Sequence, residues 1–378
     1  MSIPSCKSTS STIMTSPRSQ KSLVSIKSVR SIGSMKDNPF ASSYAAVCEK
    51  YKTRPVPYVK VNVKANSVEV YGDRMKGEEW QAAMEALSTD VSTHHVRIKN
   101  KRYVENLAVG FDTLSSVMAA PKNVPAMSTL YVATLIASSI HELLINSRAL
   151  VYLELESVRL DERSVDVLVS GVEANSTLQH LSLAYSRIGD AACLALCQVL
   201  RDKPNIQSVD LSGCGLTAAV SSSPVRGLVD VVKKQQIKRH EECWAHSLRY
   251  RVADPGAMRG LRRLTLNDNE ALGDAGVAEL FESLKDDYYV KAVDLQNCGL
   301  TDRGAGLAAC ALAVNDTLVV LDVRDNERVS SSALAAVMAR LCENNAGNPE
   351  TKRWTWTKSV REKRDRTATC GSSISILV

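Results

Sequence analysis

The chain has 378 residues, 44% of them hydrophobic, and a formal net charge of +6, which is material for a large core. No basic start runs into an apolar segment of the kind that directs secretion, and the most apolar long stretch, Val124 to Ile140, is diluted by Pro, Ser and Thr before it reaches His141 and Glu142, so neither a signal peptide nor a bilayer span is expected. Ten cysteines without framework spacing fit a reducing compartment.

Residues 1–36 hold twelve Ser and six Lys or Arg with no acid. That composition predicts a disordered basic segment open to phosphorylation, with a mitochondrial transit peptide as the competing reading. Residues 37–64 are expected to form an N-terminal cap. From residue 65 a frame sets in: Val68, Val70 and Met75 fill the strand and anchor places of a unit starting at Ala65, and Val96 with Ile98 fill those of a unit starting at Thr93, 28 residues on. The frame is clearest at Leu150, Leu153, Leu155, Leu160, and it returns from Leu178, Ile206, Leu261, Val290 and Leu318, with starts 28, 28, 55, 29 and 28 residues apart. This is a leucine-rich repeat array over residues 65–345.

In each L-x-x-L-x-L step the last two apolar places alternate with polar ones and predict a short strand with one face inward. A run such as Asp190 to Leu200 comes next, with apolar residues at helical spacing. Strands stack about 4.8 Å apart while helices need roughly 10 Å, so the helical side must fan out and the strand side must be concave. The expected fold is an α/β leucine-rich repeat solenoid, a horseshoe with an inner parallel sheet and outer helices. Eight residues after the first leucine stand Cys214, Asn269, Cys298 and Asn326, where the turning backbone needs a buried polar partner. Cys193, Cys197 and Cys310 fall in helical segments as small buried hydrophobes. The gaps of 57 and 55 residues before Leu150 and Leu261 lack the motif, and we read insertions near 104–149 and 234–260 rather than degenerate repeats.

Residues 346–378 form a basic tail in which Trp354 and Trp356 precede a Lys and Arg cluster, either a polyanion, tubulin or nuclear-import contact or an extension whose tryptophans pack on the last repeat. The opening segment and the tail together carry more charge than the chain's net +6, which leaves the body between them at −4. A mildly acidic array argues against nucleic acid on the sheet.

Catalytic patterns are absent: no phosphate-cradling glycine loop, dinucleotide fingerprint or nucleophile elbow occurs. In His240-Glu241-Glu242-Cys243-Trp244-Ala245-His246 the i+4 place that a zinc helix requires for its second His is Trp244. No cofactor or metal is expected, and a binding surface remains. Outward strand places four after each leucine hold Glu154, Ser182, Asp210, Thr265, Asp294 and Asp322, and places six after include Arg324. On a solenoid such residues carry recognition. The candidates are Glu154, Asp210, Asp294, Asp322 and Arg324 on the concave face, with Arg239, His240, Trp244, Arg249 and Tyr250 in the second insertion.

The blocks Lys238 to Arg251 and Met258 to Asn267 go beyond a generic repeat. With Leu181 to Ala184, Ala292 to Thr301, Asn315 to Arg324, Phe40 with Tyr44 and Cys48, and Gly72 to Trp80, the chain resembles the amino-terminal repeat domain of the family of the 78-kilodalton centrosomal protein from about residue 37 onward. The resemblance implies a protein of centrosomes and basal bodies, tied to mature centrioles and to building cilia, with centriolar partners and a cullin-type ubiquitin ligase among its contacts. That family varies at the places of Cys243 and His246. It also carries a long carboxy-terminal extension with a coiled coil. No heptad run precedes Val378, which puts functions that need the extension in question here.

The expected function is therefore a non-catalytic protein-binding scaffold of the centrosome and basal body. The alternative is a GTPase-activating or enzyme-inhibiting repeat protein, for which Arg159 and Arg187, just past their strands, are the available arginines.

Overall fold

In an extended chain, residues two apart share one face, and the pairs Val68 with Val70, Val96 with Ile98, and Leu153 with Leu155 each lie in one strand, buried. The computed structural model describes residues 38–101, 106–219, 223–250, 252, 258–347, 351 and 353–358. The Ser-rich segment and the cluster after Lys358 lie outside the described residues.

The strands are β1 (Val59–Asn62), β2 (Ser67–Tyr71), β3 (His95–Lys99), β4 (Tyr152–Glu156), β5 (His180–Ser182), β6 (Ser208–Asp210), β7 (Arg263–Thr265), β8 (Ala292–Asp294) and β9 (Val320–Asp322). They form one open sheet in sequence order. From β2 onward every pairing is parallel and the register never slips: Val68, Val96, Leu153, Leu181, Val209, Leu264, Val293 and Leu321 stand side by side. A one-residue slip would turn each of these buried side chains outward, so the apolar pattern locks the pairing. The inner sheet differs from the expectation at one edge. β1, in the stretch read as a cap, pairs antiparallel with β2 as a hairpin, Val59 facing Val70.

Helices make the outer layer: α1 (Pro39–Lys50), α2 (Gly77–Ser88), α3 (Leu114–Met118), α4 (Leu130–Asn146), α5 (Glu162–Ala174), α6 (Gly189–Leu200), α7 (Pro224–Ser247), α8 (Gly273–Lys285), α9 (Asp302–Leu312) and α10 (Ser331–Asn345). α1 closes the amino-terminal end by burying Phe40, Tyr44 and Cys48, a four-residue spacing that puts all three on one side. β3 pairs directly with β4 and β6 with β7, so neither long gap adds a strand to the sheet. Among the described residues of the gaps, α3 precedes the repeat helix α4 in the first, and in the second the repeat helix α7 runs on for extra turns.

Two periodic devices turn the chain at each strand end. Seven residues after the first leucine, Ser157, Tyr185, Gly213, Asp268, Asn297 and Asp325 all have φ between 51° and 60°, the left-handed region that only Gly enters without cost. At the next place the polar ladder forms as expected. Asn326 Nδ2 donates to the carbonyls of Leu295 and Val323, both at 2.9 Å, while its Oδ1 accepts from the amides of Cys298 (2.8 Å) and Leu300 (3.0 Å). The Cys214 thiol donates to Leu183 O and the Cys298 thiol to Leu266 O, each one repeat back. Cys193 and Cys197 are buried in α6, but Cys310 is exposed, because the inward face of α9 is taken by Gly304, Ala305, Ala308, Ala311 and Leu312.

Candidate functional site

The two ends of the concave face have different fates. Over β7 to β9 the acidic places are not open to a partner: Asp294 and Asp322 are fully buried. The Arg263 guanidinium forks onto Asp294 with both contacts at 2.9 Å, and the Arg324 guanidinium forks onto Asp322 at 2.9 and 2.7 Å. Residues 353–358 then lie across them. Thr355 O accepts from Arg263 (2.8 Å) and Thr357 O from Arg324 (3.0 Å). Thr357 Oγ1 accepts from Gln296 (2.8 Å) and donates to Asp294 (3.2 Å). Trp354 packs on Ala292, Val319 and Val320, and the Arg324 guanidinium stands 5.3 Å from the Trp356 ring. Burial pushes the Asp294 carboxyl above the usual carboxylate range although Arg263 opposes it. Trp354 thus follows the packed reading while Trp356 stays 38% exposed, and the expectation that Asp294, Asp322 and Arg324 face a partner is corrected: the chain's own tail uses them.

Over β2 to β6 the same face is open. Glu154 accepts from His95 Nε2 (2.9 Å) and Arg97 Nε (2.6 Å). Burial alone would raise its carboxyl, but these two donors overcome it and hold it below the ordinary value. Tyr152 stacks on His180 with ring centres 4.2 Å apart, and His95 stands 5.4 Å from Tyr152 on the other side. Asp210, half-buried, caps the Ser212 amide at 3.0 Å. Glu154 and Asp210 remain within reach of solvent.

The second insertion divides within α7. Arg239, expected to bind a partner, is a core residue, only 3% exposed. Its guanidinium lies 4.0 Å from the Tyr289 ring centre and reaches Asp287 at 3.3 Å, because Gln235 and Arg239 continue the inward face of α7. His240 meets Tyr288 edge-on at 5.3 Å, and the half-buried Cys243 has its sulfur 4.0 Å from that of Met258. Beyond Arg239 no described residue of the helix is buried. Trp244 is 67% exposed, Leu248 62%, Ile237 58% and Tyr250 fully, and Arg249 is exposed as well. Ile237, Trp244 and Leu248 are seven and four residues apart, so they share one side of the helix. Ile237 and Leu248 escaped the sequence reading, although an apolar residue every seven and then four places in a polar helix is a legible signal.

The predicted residues therefore do not converge. Among the described residues no three His, Cys, Asp or Glu gather to hold a metal, and no helix is long and apolar enough to cross a membrane. Arg159 donates to the Arg187 carbonyl in the neighbouring repeat.

Comparison with known proteins agrees with the repeat. The leucine-rich repeat family model matches residues 174–197. Human centrosomal protein of 78 kDa is 33% identical over 323 residues, 85% of this chain and 46% of that protein. The Drosophila melanogaster protein Cep78 homolog is 30% identical over 311 residues, 82% of this chain and 37% of that one. The ribonuclease inhibitor of Sus scrofa is 30% identical over 176 residues, 46% of this chain and 32% of its own length. The chain spans less than half the length of the first two relatives. Repeat spacing, sheet register and these identities agree, and over its leucine-rich repeat domain the chain is a member of the family of the centrosomal protein of 78 kDa.

Proposed function

We propose that this chain is a non-catalytic scaffold that binds other proteins at the centrosome, through the exposed end of α7 and the open half of the concave face. One observation carries the binding reading. In a chain whose repeat leucines are buried, Ile237, Trp244 and Leu248 line an exposed side of a helix that has already satisfied its core contacts. Helical stripes of this spacing dock into apolar grooves of partner proteins, and exposed Trp, Tyr and Arg are the residue types that dominate such interfaces. Trp244, Arg249 and Tyr250 supply all three.

The place of action is proposed from the relatives that bear a centrosomal name. Action at mature centrioles and basal bodies, a part in cilium assembly and contact with a cullin-type ubiquitin ligase belong to the same proposal. Tagged protein is expected to coincide with a centriole marker. Replacing Trp244 and Arg249 with Ala should weaken partner capture while the melting temperature is unchanged. Diffuse signal, or equal capture by the folded double variant, would overturn the reading.

A further inference from the structure

Where the chain enters β4 to β8, a cavity of about 580 Å³ opens at the edge of the sheet. It is lined by four arginines, Arg148, Arg259, Arg262 and Arg353, with the side-chain amides of Gln179 and Gln207 among the polar groups between them, and no Asp or Glu is among its described lining residues. Arg148 precedes the repeat of β4, Arg259 ends the second insertion, Arg262 leads into β7, and Arg353 comes from the tail. Separated stretches of chain thus bring guanidinium groups to one hollow in a body that carries a net −4.

Like charges gathered in a concavity repel, and such an arrangement is stabilised when an anion enters. Elsewhere in this molecule clustered cations are answered from within. The basic hollow around Lys60, Arg97 and Lys99 includes Asp73 in its wall, and Arg97 and Lys99 pair with Glu154 and Glu156. Here Arg148, Arg259 and Arg353 are exposed and pair with no carboxylate among the described residues. Arg262 is nearly buried and fixed in place. Its amide bonds to Gln207 O (2.7 Å), and its guanidinium lies 4.0 Å from the Tyr289 ring centre. The Gln207 amide in turn donates to Gln179 Oε1 at 3.2 Å, which keeps the polar floor ordered.

From this geometry we infer that the cavity binds a phosphate monoester. A guanidinium matches phosphate through paired N–H donors, and a dianion with three acceptor oxygens offers more charge and more acceptors to several such forks than a single carboxylate does. The volume lies within the range of roughly 300–1,000 Å³ typical of small-ligand sites, so the group can arrive on a modified side chain or on a soluble organic phosphate.

The test uses the full chain and two probes, a short phosphoserine peptide with its unphosphorylated twin, and inositol hexakisphosphate, each titrated by calorimetry against wild type and Arg148→Glu/Arg259→Glu. Both positions are exposed, so the variant should keep the wild-type melting curve. Phosphorylated probe should bind wild type and lose on the order of tenfold or more in the variant, with binding that weakens as salt rises. Binding of the peptide alone assigns a modified protein as ligand, and binding of inositol hexakisphosphate alone assigns a soluble phosphate. Equal binding of the peptide and its twin with no binding of inositol hexakisphosphate, no binding of any probe, or affinities untouched by the charge reversal would overturn the inference.

Discussion

The two halves of the concave face are built from the same repeat places, yet one is open and the other is shut. Glu154 in β4 and Asp294 in β8 both stand four residues after the first leucine, and both are held by an arginine in the preceding strand, Arg97 and Arg263. Around Glu154 water still reaches the pair and its carboxyl is held down. Around Asp294 the tail has removed the water and its carboxyl is pushed up. Position in the repeat decides which residue points inward from the horseshoe, and what lies over it decides whether it can meet a partner.

The sharpest way to break this contrast is to delete matching arginines. Arg263→Ala strands a buried carboxylate and should cost about 3–5 kcal/mol, whereas Arg97→Ala, in a half-exposed pair, should cost about 1 kcal/mol or less, both read by urea unfolding. Equal losses would mean that the tail does not seal the carboxy-terminal half. The polar ladder gives the next largest difference. Asn326→Ala abandons two carbonyls and two amides and should cost about 2–4 kcal/mol, against about 1–2 kcal/mol for Ser186→Ala, which serves only Leu155 O and the Val158 amide.

Trp354→Ala removes a half-buried ring from Ala292, Val319 and Val320, and should lower stability by about 1–2 kcal/mol while speeding tryptic cleavage after Arg353. Unchanged cleavage would show that the ring does not hold the tail down. The smallest effect is expected on the outer surface. Lys238 and Lys234 hold Asp202 down to about 2. This depressed value stabilises the fold above the carboxyl's unfolded pKa and is lost as pH falls through that value toward 2. Because the group is exposed, Asp202→Asn should cost less than about 0.5 kcal/mol at pH 7, with the difference shrinking as pH falls toward 2.

Much of the fold was legible because each unit repeats a local rule. Leu153, Leu181 and Leu264 fall in register, and Asn269 and Asn326 take up the turn, for reasons contained within a few residues of each. The left-handed place one residue earlier was only partly legible: Gly213, Asp268, Asn297 and Asp325 are types that tolerate it best, but Ser157 and Tyr185 give no such sign and adopt the conformation because the stack imposes it. The candidate surface was half legible. Trp244, Arg249 and Tyr250 are exposed as expected, but Arg239, in the same charged segment, turns inward because it continues the face of a helix that began at Pro224. A charge in a polar run gives no sign of which side of a helix it will occupy until the helix has a neighbour.

From the residues alone came the solenoid, its strand register and its acidic inner row, since a strand whose side chains alternate and a helix of fixed pitch need no distant information. Only the folded chain settled which stretch of that row is free. The contact between Arg263 and Thr355 joins residues 92 apart. Such a contact depends on the shape and charge of a surface that does not exist until the repeats beneath it have stacked.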